Sequence, residues 1–245
     1  MTKEIRFLAE TKKAYDLENN PSPAKQHAPS WYRHTKKYQG ASGNDSNSLL
    51  EHVKSLDSPS PMHFTYKNCI PFIDAMTMGY MITLPATIVV IQKQVGSERL
   101  PFVHWRTDWP IVDSPENETT ANFPRPSGCA GSMFRWINNW KVETPPGYSL
   151  LVTHPIHRHD LPFTTITGVV DTDKHVNPII LPFFFKEGFE GEIPVGTPIA
   201  QIIPIKRDNW ESSKGVLVEV HGVNKIKVPF MKAYKSLWWT RKSYS

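Results

Sequence analysis

The chain has 245 residues, of which 39% are hydrophobic and 21% charged, and its formal net charge at pH 7 is +5. This length fits one large or two small domains and allows a substantial core. With 22 prolines against 13 glycines, the composition favours a β-rich, loop-rich protein, and the mild positive charge lies well below that of a dedicated nucleic-acid binder.

No apolar stretch reaches the roughly 20 residues that a membrane-spanning helix needs, and Met1–Glu4 does not begin a signal peptide. Cys69 and Cys129 are far apart and form no Cys-x-x-Cys motif. Two buried thiols in a reduced compartment are the expected state, with one disulfide as the alternative. We therefore expect a soluble protein without a membrane partner.

We interpret residues 1–63 as an N-terminal arm and linker. Ile5–Leu8 predicts a short strand, and the prolines of Tyr15–Ser30 predict an extended arm. Trp31 and Tyr32 follow it, and their rings would anchor the arm on the body of the protein.

Residues 64–228 form the predicted β-rich core domain. A short helix is expected before it over Ser48–Leu56, whose first residue is a candidate cap. Tyr80–Leu84 and Thr87–Ile91 are apolar and rich in β-branched residues, which predicts two strands. Gly79 comes directly before them and permits a tight backbone approach.

The second part of the core alternates polar and apolar segments. Gly96–Pro126 is polar and predicts a long insertion or surface excursion, a kind of loop that is usually functional or mobile. Met133–Val142 predicts one strand with aromatic residues on a common face. Further on, Val216–Val220 and Ile226–Val228 predict a terminal hairpin.

The chain is organised around Thr144–Arg207, which has the alternation and turn residues of successive strands. The predicted strands are Ser149–Val152, Ile166–Val170, Ile179–Phe185 and Ile199–Ile205. Successive strand residues point to opposite faces, so each run needs a core on at least one side.

This stretch resembles the core of the trimeric dUTPase and dCTP deaminase family. The resemblance rests on Gly168-Val169-Val170-Asp171 and on Gly196, Ile199, Ala200 and Gln201. It implies a β-clip-like core and nucleotide binding between subunits, with Asp171 at the position of the catalytic aspartate. A dUTPase-like nucleotide-binding protein or hydrolase acting in an infected cell, with Asp171 and Gln201 in its site, is the alternative function.

Other positions depart from that family. Leu151–Ile156 occupies the place of the phosphate-binding Arg-Ser-Gly motif, Lys174 and His175 follow Asp173 in place of a base-stacking tyrosine, and the glycine-rich C-terminal motif is absent. A bound triphosphate would leave its charge unpaired. We therefore predict no dUTP or dCTP turnover, and expect Asp171 to lie in a tight turn and bond its own backbone.

A second resemblance covers about Cys69 to Arg207 and points to an uncharacterised family of tailed bacteriophages and some bacteria. Pro29-Ser30-Trp31-Tyr32 is similar to the start of its phage members. Further matching motifs are Cys69-Ile70-Pro71-Phe72, Gly79-Tyr80-Met81-Ile82, Leu84-Pro85, Pro145-Pro146-Gly147-Tyr148, His154-Pro155, Gly168-Val169-Val170-Asp171 and Gly196-Thr197-Pro198. This resemblance implies a phage source and no particular chemistry.

A histidine cluster invites a metal hypothesis, because imidazole and carboxylate are common zinc and iron ligands. It consists of His154, His157 and His159 with Asp160, and a further ligand such as His221 would have to come from elsewhere. A polar, partly exposed turn is the alternative that we favour. We expect neither a metal nor a cofactor.

Residues 229–245 form a basic, aromatic C-terminal tail with an amphipathic helical stripe. Three interpretations stay open: a helix packed on its own domain, a helix docked on a neighbouring subunit, and a segment that contacts phosphates. Aromatic residues dominate the energetics of protein interfaces. The candidate subunit-interface residues of the whole chain are Trp31, Tyr32, Phe230, Tyr234, Leu237, Trp238 and Trp239.

Together these patterns predict a mainly β protein with a β-clip-like core, long loops, an extended N-terminal arm and a short amphipathic C-terminal helix. The predicted function is a structural, assembly role in the head, neck or tail of a tailed bacteriophage virion, without catalysis. We expect binding to other virion proteins and a homo-oligomer, with a trimer suggested by the resembled fold. Nucleic-acid binding stays open. The protein would pass through the host cytoplasm before assembly.

Overall fold

A computed structural model describes residues 3–16, 21–40, 45–54, 62–115, 122–175, 177–216 and 230–245. These residues are mainly β, as predicted. The strands are β1 (Arg6–Ala9), β2 (Ser22–Pro23), β3 (Tyr38–Gly40), β4 (Asp45–Ser46), β5 (Met62–Phe64), β6 (Tyr80–Thr83), β7 (Ile88–Val95), β8 (Glu98–Trp105), β9 (Val112–Asp113), β10 (Cys129–Trp136), β11 (Trp140–Glu143), β12 (Tyr148–Thr153), β13 (Phe163–Thr165), β14 (Gly168–Val170), β15 (Leu181–Lys186), β16 (Gly191–Ile193) and β17 (Pro198–Lys206).

The helices are short. They are α1 (Lys12–Asp16), α2 (Ser30–His34), α3 (Leu49–Lys54), α4 (Ile70–Thr77) and α5 (Phe230–Leu237), with 3₁₀ turns at Ala24–His27 and Tyr66–Asn68. Among the described helices, none combines the length and the apolar character that crossing a membrane requires.

The chain forms two compact units. The first comprises Met1–His27, Gly79–Arg207 and Ser245, and the second comprises Ala28–Met78 and Asp208–Tyr244. These limits differ from the predicted boundaries after residues 63 and 228.

The first unit contains a five-stranded antiparallel sheet in the order β14-β12-β17-β6-β2. Strand β17 lies at its centre, and its first six residues are all buried. Gly79 precedes β6 with φ +71°, and a Cβ on it would lie 2.1 Å from the carbonyl oxygen of Ile202. The predicted close approach at Gly79 is therefore confirmed.

A four-stranded sheet, β13-β15-β10-β9, carries the aromatic core. The ring of Trp136 stacks on that of Phe183 with centroids 3.6 Å apart, and Phe163 and Phe185 meet the same rings edge to face. All four side chains are 1% exposed or less. Phe183 and Phe185 belong to the predicted strand Ile179–Phe185, which therefore supplies the centre of this core.

The single strand predicted over Met133–Val142 is wrong, because the chain breaks into β10 and β11. Asn138 causes the break: its amide donates to the carbonyl of Trp140 and its side-chain oxygen accepts the N–H of Trp140. Such side-chain bonds to the backbone give the chain a local alternative to a continuous strand. Strand β11 then pairs with β1.

The long insertion predicted over Gly96–Pro126 is wrong for its first part. Strand β8 pairs with β7 residue by residue from Ile88 opposite Trp105 to Val95 opposite Glu98, and β16 completes this sheet. Gly96 takes a φ of +60° in the connecting turn, a conformation that glycine adopts without steric cost.

The N-terminal segment lies along the sheets of the first unit. Strand β1 pairs with β11, and Ser22–Pro23 adds an edge to β6. Ala14 and Ala24 are each 1% exposed.

The second unit holds the sheet β4-β3-β5 together with α2, α3, α4 and α5. The hydroxyl of Ser48 accepts the N–H of Glu51 at 3.0 Å, so the predicted helix and its cap are confirmed. The predicted terminal hairpin falls outside the described residues, apart from Val216. Both cysteines are free thiols, Cys129 buried and Cys69 half-buried.

Candidate functional site

Asp171 lies directly after β14, at the start of a tight turn. Its carbonyl accepts the N–H groups of Lys174 and His175, at 2.9 and 2.8 Å. Its carboxylate turns to the neighbouring strand β12, where the hydroxyl of Ser149 donates to it at 2.6 Å. The expected turn is present, and the carboxylate has a partner outside it.

Arg207 joins the two aspartates of this turn. It follows β17 directly, and its Nη1 lies 2.8 Å from Asp173 Oδ1 and 3.2 Å from Asp171 Oδ1. Its Nη2 bonds Asp173 Oδ2, the oxygen that also accepts the N–H of Gly147 at 2.9 Å. We name these five residues, Arg207, Asp171, Asp173, Ser149 and Gly147, the Arg207 cluster.

The Arg207 cluster keeps both carboxylates charged. The hydrogen bond from Arg207, helped by the N–H of Gly147, lowers the pKa of Asp173 to about 2. The hydrogen bond from Ser149, followed by the charge of Arg207, lowers the pKa of Asp171. A general base near neutral pH works best with a pKa near the working pH. The low pKa values therefore favour a structural ion-pair network over a general base.

A cleft of about 440 Å³ lies beside this network. Arg6 and Lys141, two of its cations, both pair with Glu143. Its lining residues are Glu4, Arg6, Lys141, Glu143, Thr144, Pro145, Pro146, Thr172, Asp173, Lys174 and His175. Charges of both signs line this cleft, and those two cations already have a carboxylate partner.

Gln201, the second residue of the dUTPase resemblance, is fully buried in β17. Its side-chain oxygen accepts the N–H of Ile156 at 3.0 Å, which fixes the turn after β12. The side chain thus has a structural role in the first unit.

Two residues of the cluster predicted as a possible metal site, His154 and Asp160, have partners elsewhere in the fold. His154 accepts the N–H of Thr165 at Nδ1, at 3.3 Å, and its Nε2 donates to the carbonyl of Arg158 at 3.0 Å. Burial lowers the pKa of His154, which agrees with the neutral ring that these two bonds require. Asp160 pairs with Arg158. Among the residues that the structure describes, no three His, Cys, Asp or Glu side chains are grouped as metal ligands would be.

Trp31 and Tyr32 lie in α2, in the second unit. Their rings meet edge to face with centroids 6.0 Å apart, and the ring centroid of Trp31 lies 6.3 Å from that of Phe72 in α4. Lys67 Nζ lies 5.3 Å from the centre of the Tyr32 ring, and burial raises the pKa of the Tyr32 hydroxyl. Trp31 remains 39% exposed, so these rings anchor α2 and still face the solvent.

The C-terminal tail has an attached side and an exposed side. Asp74 of α4 accepts the indole N–H of Trp239 at 2.8 Å and the ammonium of Lys242 at 2.6 Å. Leu237 and Trp238 are 65% and 56% exposed. The tail is therefore fixed within the second unit while part of its apolar stripe faces outward.

Tyr234 and Phe230 are the remaining predicted tail residues. Tyr234 is half-buried, and its carbonyl accepts the N–H groups of Trp238 and Trp239 at 3.1 and 3.0 Å. Phe230 begins α5, and its side chain lies outside the described residues.

Sequence reasoning missed Arg207 and Asp74 as organising residues. One local feature of the sequence could have identified Arg207, namely its position directly after a strongly apolar strand. Asp74 had none, because its partners are more than 160 residues away, at a separation of 165 for Trp239 and 168 for Lys242.

Comparison of the chain with models of known protein families, with curated proteins and with solved structures finds no match. Both resemblances drawn from the sequence therefore stay predictions.

Proposed function

We propose that the protein is a structural subunit of a tailed-phage particle, in the head, neck or tail, and that it binds neighbouring subunits without catalysis. The observation that carries this proposal is the C-terminal tail. Its attached side is fixed by Asp74, while Leu237 and Trp238 stay more than half exposed. A helix held in place with an outward apolar side suits a contact with another subunit.

The energetics of interfaces support this use of the tail. Tryptophan is enriched among the residues that carry most of the binding energy. Because the tail is already ordered by its own bonds to Asp74, binding a partner through Leu237 and Trp238 avoids the entropy cost of ordering a free arm, roughly 1–2 kcal/mol per residue. A second copy of this chain is one such partner, and other virion proteins are further ones.

The competing function is a dUTPase-like nucleotide-binding protein or hydrolase. One observation favours it: the side chain of Asp171 is 53% exposed. Against it stands the Arg207 cluster, in which that carboxylate is already bonded by Ser149 and Arg207. We expect no release of pyrophosphate from dUTP and Mg²⁺. Turnover that disappears in Asp171→Asn would establish the enzyme instead.

Mass spectrometry of purified virions tests the structural proposal. The protein should be present in a copy number that matches the symmetry of the particle. Its absence from the virion would contradict the proposal, and its presence together with an inactive dUTP assay would separate the two candidate functions.

A further inference from the structure

The segment Trp31–Lys37 is tied to the segment Thr65–Asn68 of the second unit. The N–H of Thr65 donates to the carbonyl of Lys37 at 3.2 Å, and its hydroxyl donates to that of Lys36. Asn68 also donates to the carbonyl of Lys37, and Lys67 Nζ reaches the carbonyl of Arg33 at 2.8 Å. These bonds hold the two segments side by side, and Lys36, Lys37 and Tyr66 are exposed on the surface that the segments form.

Four aromatic rings form a continuous row on this surface. Tyr66 contacts Phe72 with ring centroids 5.7 Å apart, Phe72 contacts Trp31, and Trp31 contacts Tyr32. The row is open to solvent, because Tyr66 is 73% exposed and Trp31 39%. A ring with an accessible face can stack on a planar ligand.

Cations accompany these rings. Lys36 and Lys37 are exposed, and Lys67 lies over the Tyr32 ring. Within the described part of the chain, these three lysines make no ion pair. The sequence has no Asp or Glu between Glu18 and Asp45, nor between Asp57 and Asp74. The seven residues of this aromatic–basic surface (Trp31, Tyr32, Tyr66, Phe72, Lys36, Lys37 and Lys67) thus include three lysines and no acidic residue.

We propose that the aromatic–basic surface binds single-stranded nucleic acid. Proteins that bind single strands without sequence preference combine cations along the backbone with aromatic rings on which successive bases stack. Lys36 and Lys37 match the phosphates, and Tyr66 and Trp31 match the bases. A duplex keeps its bases stacked inside and therefore offers the aromatic rings no exposed base on which to stack. An acidic peptide would use the lysines but not the rings.

Fluorescence anisotropy of the full chain tests this binding. The probes are labelled oligothymidine and oligouridine of about 20 nucleotides, longer than the site of about 16 nucleotides that one binding module covers at most. A duplex of the same length and polyglutamate serve as comparisons. Both single strands should bind more tightly than either comparison. Equal binding of the duplex or of polyglutamate would overturn the proposal, in the second case in favour of an acidic protein partner.

Two variants separate the role of the charges from that of the rings. Lys36→Glu/Lys37→Glu should weaken binding and flatten the dependence of log K on log salt concentration by about 1.4, since each lost phosphate contact on a single strand contributes about 0.7. Lys93→Glu/Lys214→Glu makes the same change in net charge at exposed lysines elsewhere, and it should leave this slope unchanged. Equal slopes for the two double variants would overturn the proposal.

Tyr66→Ala should weaken binding of the single strands at least about fivefold, the lower end of what one stacked base contributes. Tyr66→Phe keeps the ring and should bind like the wild type, and circular dichroism would verify that both variants are folded. Full binding by folded Tyr66→Ala and Trp31→Ala would show that the rings do not take part, and would overturn the proposal.

Discussion

The Arg207 cluster and the aromatic–basic surface both place cations beside a turn, and they use them in opposite ways. In the Arg207 cluster the guanidinium meets two carboxylates, and Asp173 keeps only 6% of its side chain exposed. On the aromatic–basic surface, Lys36 and Lys37 are exposed, and the neighbouring turn uses their carbonyls, not their charges.

The difference shows that charge alone does not mark a binding site. The carboxylates of the Arg207 cluster are bonded within the chain, so they hold β12, β14 and β17 together and have little capacity for a ligand. In the second unit, the side chains of Thr65 and Asn68 donate to the carbonyls of Lys36 and Lys37. The lysine ammonium groups and the aromatic rings stay available for a partner. Substitutions in both regions test this contrast, beginning with the variant expected to have the largest effect.

Arg207→Met should cause the largest fall in Tm among these substitutions. The change keeps an aliphatic side chain of similar reach but leaves two adjacent carboxylates without their cation, one of them almost fully buried. Thermal unfolding followed by circular dichroism measures the effect.

Arg6→Met is the matched control, because the Arg6 side chain is 61% exposed in its pair with Glu143 and exposed pairs contribute little. Equal Tm values for the two variants would contradict a stabilising role for the Arg207 cluster. Adding Asp173→Asn to Arg207→Met should restore part of the lost stability.

Acid should remove the same contribution in the wild type. The pKa values of Asp171 and Asp173 are lowered in the folded chain, that of Asp173 from 3.8 to about 2. Their contribution is therefore complete above the unfolded value of 3.8 and disappears as the pH falls toward about 2. Denaturant unfolding across this range should show a smaller loss of stability in Arg207→Met than in the wild type. Identical pH profiles would be inconsistent with this mechanism.

Two of the strands that the sequence predicted correctly are mostly buried. Both segments, Tyr80–Leu84 and Ile199–Ile205, are mainly apolar, and their burial leaves little choice of structure. Strand β8 was missed because Glu98, Arg99 and Pro101 interrupt its pattern. Proline is tolerated there because β8 pairs only with β7 among the described strands.

The candidate sites were less predictable than the strands. The residue types at Trp31 and Trp238 indicated exposed aromatic anchors. Nothing local indicated that Asp74 would bond the indole of Trp239 while the side chain of Trp238 stays exposed. Pairings over such separations depend on how the units fold, and one sequence does not encode them in a local motif. The metal hypothesis for His154 is not supported, because backbone groups of Thr165 and Arg158 bond its ring.

Trp239→Phe should lower the free energy of unfolding by about 1 kcal/mol, the usual net contribution of one hydrogen bond. An aromatic ring is kept, while the indole N–H that donates to Asp74 is lost together with part of the ring surface. Trp238→Phe changes the neighbouring indole, which is 56% exposed, and should leave stability unchanged. Urea unfolding of both variants measures this contrast, and an equal loss in both would mean that the tail is not held through Trp239.

The smallest effect on stability is expected for Leu237→Ser/Trp238→Ser. Both side chains are more than half exposed, and surface substitutions usually change stability by less than about 0.5 kcal/mol.

If the outward side of the tail binds another subunit, the same variant should weaken self-association about thirtyfold, the effect of losing one residue that contributes about 2 kcal/mol to an interface. Sedimentation equilibrium over a range of protein concentrations measures the dissociation constant. Trp210→Ser is the matched control, because Trp210 is 87% exposed but lies outside the C-terminal tail, and it should leave that constant unchanged. Unchanged association in the double variant would assign the exposed side of the tail no part in binding between copies, even though its attached side is fixed by Asp74.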